Sequence, residues 1–266
     1  MNVKEIVVDS IKYPFLDWKK ILILGLIVVI YKIPLHMFPV NLYNGFTDQF
    51  LFIALLINFF ISGYFFKIIQ YSLKNKKELP KFSKWVNLFK NGFKVTCVSL
   101  IYSIPATLPL IILTSDLLNF FSYEPKFFIS IMGVILAYVT GITGQGYLYT
   151  ILFFYILYFL IFFPISLIAI ANMANNEGNL RYAFEFKVIF DKIKNIGWTK
   201  FYSWYLLTSA ITLLVVNLIG FLIVILLILI HTFQFENLID SLILTPYIYI
   251  FFSRSIALIY KSDNNI

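Results

Sequence analysis

The side chains able to do chemistry are few in this chain, and their spacing works against most kinds of it. His36 and His231 lie far apart and match no His-x-x-His or similar ligand spacing, so with Asp48, Glu236 and Asp240 they do not spell a zinc site. The single cysteine, Cys97, excludes a disulfide framework or a thiolate metal cluster within the chain. The glycine-rich "GITGQG" at 141–146 lacks the lysine and the strand–helix setting that a phosphate loop needs. No nucleophile and base can be paired by spacing. The expectation is a protein with no catalytic, metal or cofactor-binding residues and no enzymatic activity.

Three polar residues inside apolar runs are the candidates that remain: Lys32, Asn58 and Asn217. Ionisable and amide groups at membrane depth are functional candidates by default, so the three form a candidate pocket. Lys32 has a simpler reading as a lysine snorkelling to the nearer interface. Asn58 and Asn217 have one as interhelical hydrogen bonders.

These residues are carried by elements of one kind. With 61% hydrophobic residues and a mean hydropathy of +0.87, the chain lies far outside soluble averages and reads as an integral membrane protein. A bilayer core takes about 20 apolar residues per helix. The runs 21–37, 49–73, 95–114, 147–173, 202–231 and 240–260 satisfy it, and a weaker run covers 127–143. None alternates as barrel strands do. The fold class expected is all-α: a polytopic helical bundle of about six transmembrane helices, forming a single membrane domain over 1–266.

The net charge of +8 suggests nucleic acid until the basic residues are placed. Lys4, Lys12, Lys19 and Lys20 precede the first run, seven lysines fall in 74–94, and Arg181, Lys187, Lys192, Lys194 and Lys200 fall in 174–200. Lysine and arginine accumulate on the cytoplasmic side of a membrane. Basic segments on one side require an even number of crossings between them, which makes 127–143 re-entrant or interfacial and 202–231 one helix, bent near Asn217 and Gly220. Both termini are then cytoplasmic in a multi-pass protein of the cell membrane. Nucleic acid is not an expected partner.

Three of the basic segments have helical period. In "ELPKFSKWVNLFKNGFK" the residues Phe82, Trp85, Val86, Phe89 and Phe93 form one stripe, with Lys84, Lys90 and Lys94 opposite. Tyr182, Ala183, Phe186, Ile189, Phe190 and Ile193 form a second stripe, opposed by Lys187 and Lys194; Val7, Ile11, Pro14, Phe15 and Trp18 form a third, which Pro14 can bend. Each reads as an amphipathic helix in the cytoplasmic interface, starting for the first of them at Leu79–Pro80. Lys81, Lys84, Lys90, Lys94, Lys187 and Lys194 are the candidate contacts to lipid headgroups. A three-unit organisation follows, each unit an elbow and a hairpin: 1–73, 74–173 and 174–261.

The stretch "GYFFKIIQYSLKNKKELPKFSKWVNLFKNGFKVTCVSLIYSIP", with Gly63–Tyr64, Leu79–Pro80, Trp85, Phe89, Gly92, Tyr102 and Pro105, resembles domain-of-unknown-function family 4013, whose members are mostly archaeal. "FPISLIAIANMANNEGNLRYAFEF", with Ala183–Phe184, is similar to a second block of that family. The resemblance implies a polytopic membrane protein and brings no activity or site residues. The expected function is non-enzymatic membrane organisation through lipid contact, with transport of a small or lipid-like solute as the alternative. Membrane lipids are the expected partners, with a second copy or another membrane protein as further candidates.

Overall fold

The computed structural model describes the backbone of residues 1–37, 46–120, 152–229 and 236–263, and the side chains of 1–32, 52–108, 152–222 and 238–263. Within the described residues it is all helix, with no strand. Residues 127–143 and His231, with the side chains of His36, Asp48 and Glu236, lie outside this description.

Helix α1, Val3–Lys12, starts on a capping box in which the Asn2 side chain accepts from the Glu5 N–H at 2.8 Å and the Glu5 carboxylate accepts from the Asn2 N–H at 3.0 Å. Pro14 then turns the chain into a 3-10 segment, Tyr13–Leu16. Helix α2 is Trp18–Met37, α3 is Phe46–Leu73 and α4 is Trp85–Phe120. Helix α5 is Leu152–Asn175, interrupted by a π-helical segment, Tyr158–Phe162. A 3-10 turn, Leu180–Ala183, leads to α6, Phe186–Ile196, and α7 is Trp198–Leu229. A helical turn, Glu236–Ile239, precedes α8, Asp240–Lys261, whose first five residues are π-helical.

Four helices among the described residues are long and apolar enough to cross a bilayer: Phe52–Leu73, Leu152–Asn175, Trp198–Leu222 and Asp240–Lys261. Every candidate span read from the sequence is helical wherever it is described. Asn217 and Gly220 lie within one uninterrupted helix, α7.

The chain divides into two compact units. One holds Met1–Thr96 with Leu167–Ile266, and the other holds Cys97–Ser166. The smaller comprises the distal part of α4 and the first part of α5. In it the Phe159 and Phe163 rings stack at 6.0 Å beside the π-helical segment, where the Phe163 N–H reaches the Tyr158 carbonyl.

The larger unit is held by a core of Tyr13, Ile21, Leu24, Val28, Ile61, Tyr64, Ile68, Leu79 and Ile250, all buried. Its helices approach to backbone contact. A Cβ on Gly25 would overlap the Leu242 carbonyl, and one on Gly63 would overlap the Leu88 carbonyl. Such small-residue crossings suit a medium where dispersion between helices replaces the hydrophobic drive.

Helices α1, α4 and α6 share a burial register. They begin at Val3, Trp85 and Phe186, and the fourth, eighth and eleventh residues from each start are buried: Ile6, Ser10 and Tyr13; Leu88, Gly92 and Val95; Ile189, Ile193 and Ile196. The elbows differ from the sequence reading in where they start. The second was expected from Leu79–Pro80 and the third from Tyr182, yet the helices open at Trp85 and Phe186. Lys84, at φ 58, cannot continue a helical path, and Phe82 stacks on Tyr64 at 4.0 Å with planes 11° apart. The second elbow is also the first turns of α4 itself, with no break before the apolar run. The third is broken from α7 at Gly197, whose φ of 93 is open to glycine and strained for other residues.

Candidate interface site

The connector 74–84 joins α3 to α4 without secondary structure, so its carbonyls need partners from elsewhere. Four donors from three neighbouring segments supply them in sequence order. Tyr13 Oη donates to the Glu78 carbonyl at 2.9 Å and Lys20 Nζ to Leu79 at 2.6 Å. Tyr64 Oη donates to Pro80 at 2.9 Å, and Lys67 Nζ to Lys81 at 2.6 Å and Ser83 at 3.1 Å. A cation donating to carbonyls makes stronger bonds than a neutral donor. The loop is thus clasped from below by the helices that precede it.

Arg254 extends the clasp. Sequence position suggests snorkelling, but only 6% of the residue is exposed, and its Nε donates to Asp9 Oδ1 at 2.7 Å. Its Nη1 donates to the Lys76 carbonyl at 3.3 Å, and its guanidinium lies 4.7 Å from the Tyr13 ring centroid. The Lys261 ammonium bonds the Asn75 side chain. Burial pushes the Tyr13 hydroxyl up to about 12, with the Arg254 cation acting in the opposite direction. At the exposed rim, the Lys20 ammonium hydrogen-bonded to Asp17 holds that carboxyl below its ordinary value.

Two more segments that follow helices are tied down in this unit. Lys94 Nζ donates to the Gly178 carbonyl at 2.7 Å, after α5. Lys192 pairs with Asp263 at 2.6 Å and Lys200 donates to the Ser262 carbonyl at 2.6 Å, after α8. Lysines that read as lipid contacts and lysines that hold backbone therefore alternate along the same segments. Of the six expected headgroup contacts, Lys81, Lys84, Lys90, Lys187 and Lys194 are exposed, and Lys94 is half-buried on its carbonyl.

The aromatic stripes split in the same way. Trp85, Val86 and Phe93 are about half exposed or more, as are Phe15, Trp18, Phe186, Phe190 and Trp198 to nearly the same degree, while Ala183, Ile189 and Ile193 of the third stripe and Val7 of the first are buried. Trp18, Trp85 and Trp198 are the first residues of α2, α4 and α7. Phe60 packs edge-on against Trp85 at 6.0 Å, which holds one of the three in place.

The three residues of the candidate pocket stand on three helices. Lys32 on α2 pairs with Asp240 on α8 at 2.5 Å, and Thr245 Oγ1 lies 3.3 Å from the same carboxylate oxygen. Asn217 on α7 turns to its own helix and donates to the Leu213 carbonyl at 2.7 Å. Asn58 is half-buried on α3. None of the three lines the cavities that the described residues enclose at α2, α7 and α8 or beside Lys94. Arg254, Asp9 and Tyr64 were absent from the candidates because their partners lie far away in sequence, 245 positions in the case of Arg254 and Asp9.

A family model described as "Protein of unknown function (DUF4013)" matches residues 50–232, more than half of the chain. The chain belongs to the DUF4013 family. No curated protein and no solved structure matches it. The DUF4013 match takes in most of α3, the clasped connector, α4, α5, α6 and all of α7, so Tyr64, Lys67 and the glycine crossing fall inside it. Tyr13, Lys20 and Arg254, which complete the clasp, fall outside.

Proposed function

We propose that this protein is a six-span, non-enzymatic membrane protein that organises lipid at its basic face, with that face and both termini in the cytoplasm. The reading rests on one observation: Trp18, Trp85 and Trp198, half exposed, each open a long apolar helix, with the exposed lysines Lys19, Lys84 and Lys194 within one helical turn of them in sequence. Tryptophan with one wet and one apolar side is the residue of the bilayer interface. Each lysine near an anionic surface contributes about 1 kcal/mol. The shared burial register of α1, α4 and α6 supports the three-unit organisation over 1–73, 74–173 and 174–261.

Two experiments test it. In a Cys97→Ser background, single cysteines at Lys81 and Lys187 should react with an impermeant maleimide only after the cells are opened; labelling of intact cells overturns the sidedness. Native mass spectrometry of the purified chain should find anionic phospholipid enriched over its share of the membrane. Replacing Lys81, Lys84, Lys90, Lys187 and Lys194 by glutamine should abolish the enrichment, and unchanged enrichment removes their role.

A carrier is the second reading, favoured by the Lys32–Asp240 pair at the π-helical start of α8, since π-helical turns often mark functional positions. Solute uptake by proteoliposomes that is lost in Asp240→Asn would move it ahead.

A further inference from the structure

A cavity of about 340 Å³ opens between α2, α7 and α8 in the larger unit. Its wall is almost wholly apolar, so it offers water few hydrogen-bond partners. Its two ends differ. At the end nearest α1 stand Phe15, Trp18 and Tyr247, with Phe15 ring centroids 5.8 Å from Trp18 and 5.4 Å from Tyr247. Ile243, one helical turn from Tyr247 on α8, and Val215 and Ile219 on α7 supply aliphatic walls. Tyr247 is itself fixed, its hydroxyl donating to the Ile11 carbonyl at 3.1 Å. The volume is about twice the 150 Å³ that encloses a benzene ring, which is room for roughly a dozen carbons in a row. Lys12 and Lys19 flank the aromatic pair in sequence and are exposed, while the nearby Asp17 is neutralised by Lys20 at 3.0 Å.

We infer that this groove is a binding site for one acyl chain of an anionic phospholipid, the chain lying against Val215, Ile219 and Ile243 and the headgroup phosphate facing Lys12 and Lys19. Aromatic rings at the entrance match the glycerol level, and the uncompensated lysines set the charge of the headgroup. The groove thus differs from the general lipid surface of α7, where Leu214 and Leu218 stand 68% and 63% exposed on a convex face. The inference rests on the membrane reading above, and it adds a discrete site with a preferred headgroup.

The test uses the full chain in phosphatidylcholine bilayers doped with a phosphatidylglycerol that carries a diazirine midway along one acyl chain. After irradiation, adducts mapped by mass spectrometry should fall on Val215, Ile219 and Ile243 about fivefold more often than on Leu214 and Leu218. Excess unlabelled phosphatidylglycerol should compete at the groove and leave Leu218 unaffected, a readout that needs no variant. Ile243→Trp should remove the groove adduct alone, and Lys12→Gln with Lys19→Gln should erase the advantage of the phosphatidylglycerol probe over a phosphatidylcholine one. Equal labelling of groove and Leu218 with no competition overturns the site, as does a groove filled by a second copy or by another segment of this chain, detected as protein–protein adducts. Absence of labelling at Leu214 and Leu218 as well would overturn the membrane reading with it.

Discussion

Gly63 and Gly92 meet backbone to backbone where α3 crosses α4. A Cβ on Gly92 would lie 2.8 Å from the Gly63 nitrogen and overlap the Phe59 carbonyl, and a Cβ on Gly63 would overlap the Leu88 carbonyl. Each glycine thus receives the carbonyl of the residue four positions before the other. The reciprocity sets the height of the connector between the two helices, because Tyr64 and Lys67, on the next turn of α3, then reach Pro80 and Lys81.

Gly63→Ala and Gly92→Ala should each lower stability by about 2 kcal/mol, since the obstructing atoms are backbone and the helices must part. Gly220→Ala, with nothing within 4 Å of the added methyl, should be neutral or stabilising through helix propensity. Thermal unfolding midpoints in one detergent check all three. Equal loss at Gly63 and Gly220 would refute the crossing.

Arg254 and Asp9 should respond unequally. The arginine is buried against two acceptors and an aromatic ring, so Arg254→Ala leaves a void and unpaired carbonyl and carboxylate groups, at a cost of about 3 kcal/mol. Asp9 keeps 41% of its side chain exposed. Asp9→Asn retains an oxygen acceptor for the guanidinium and should cost about 1 kcal/mol. A double-mutant cycle on unfolding free energies reads the coupling directly.

Lys67→Met should loosen the connector without unfolding the bundle. It removes the donor to the Lys81 and Ser83 carbonyls while keeping the apolar stem. Hydrogen exchange of the amides of residues 82–88 should speed up, with protection of α8 unchanged. Tyr64→Phe should act similarly at a smaller amplitude, because the ring still stacks on Phe82.

Two groups outside the apolar spans set the pH range of the clasp. The Tyr13 hydroxyl is held neutral up to about 12 against an ordinary 10, so its contribution is complete below pH 10 and is lost as pH rises toward 12. The Asp17 carboxyl is depressed below 3.8 by Lys20, so its contribution is present above that value and is lost as pH falls below it. Unfolding midpoints followed across pH should show an alkaline fall that Tyr13→Phe flattens and an acid fall that Asp17→Asn flattens.

Much of the architecture was legible in the residues themselves. Long apolar runs admit little besides helices in a bilayer, because backbone groups there must pair within their own segment. That local rule fixes the helical identity of each run, while the even number of crossings between basic segments makes 202–231 one helix, and the motifs around Gly63–Tyr64 and Leu79–Pro80 carry the family resemblance. Helical period also marked Trp85, Phe93 and Phe186 as apolar positions of the elbows, and they are half exposed. What period could not tell was which apolar face packs on protein and which is left outward. Apolar residues stand on more than one side of the first turns of α4, so the buried line of Leu88, Gly92 and Val95 carries no compositional mark.

The sequence by itself determined the helical character of the chain, with runs long and apolar enough to cross a bilayer, and the clustering of lysine and tryptophan at their ends, since both follow from composition along short windows. Only the tertiary structure decided what each charge does. Lys20, Lys67 and Lys94 are spent on connector carbonyls, Arg254 on Asp9 and Lys32 on Asp240, while Lys81 and Lys187 are left exposed. The physical reason is range: these partners lie between 14 and 245 residues apart, and packing, not local pattern, brings them within hydrogen-bonding distance.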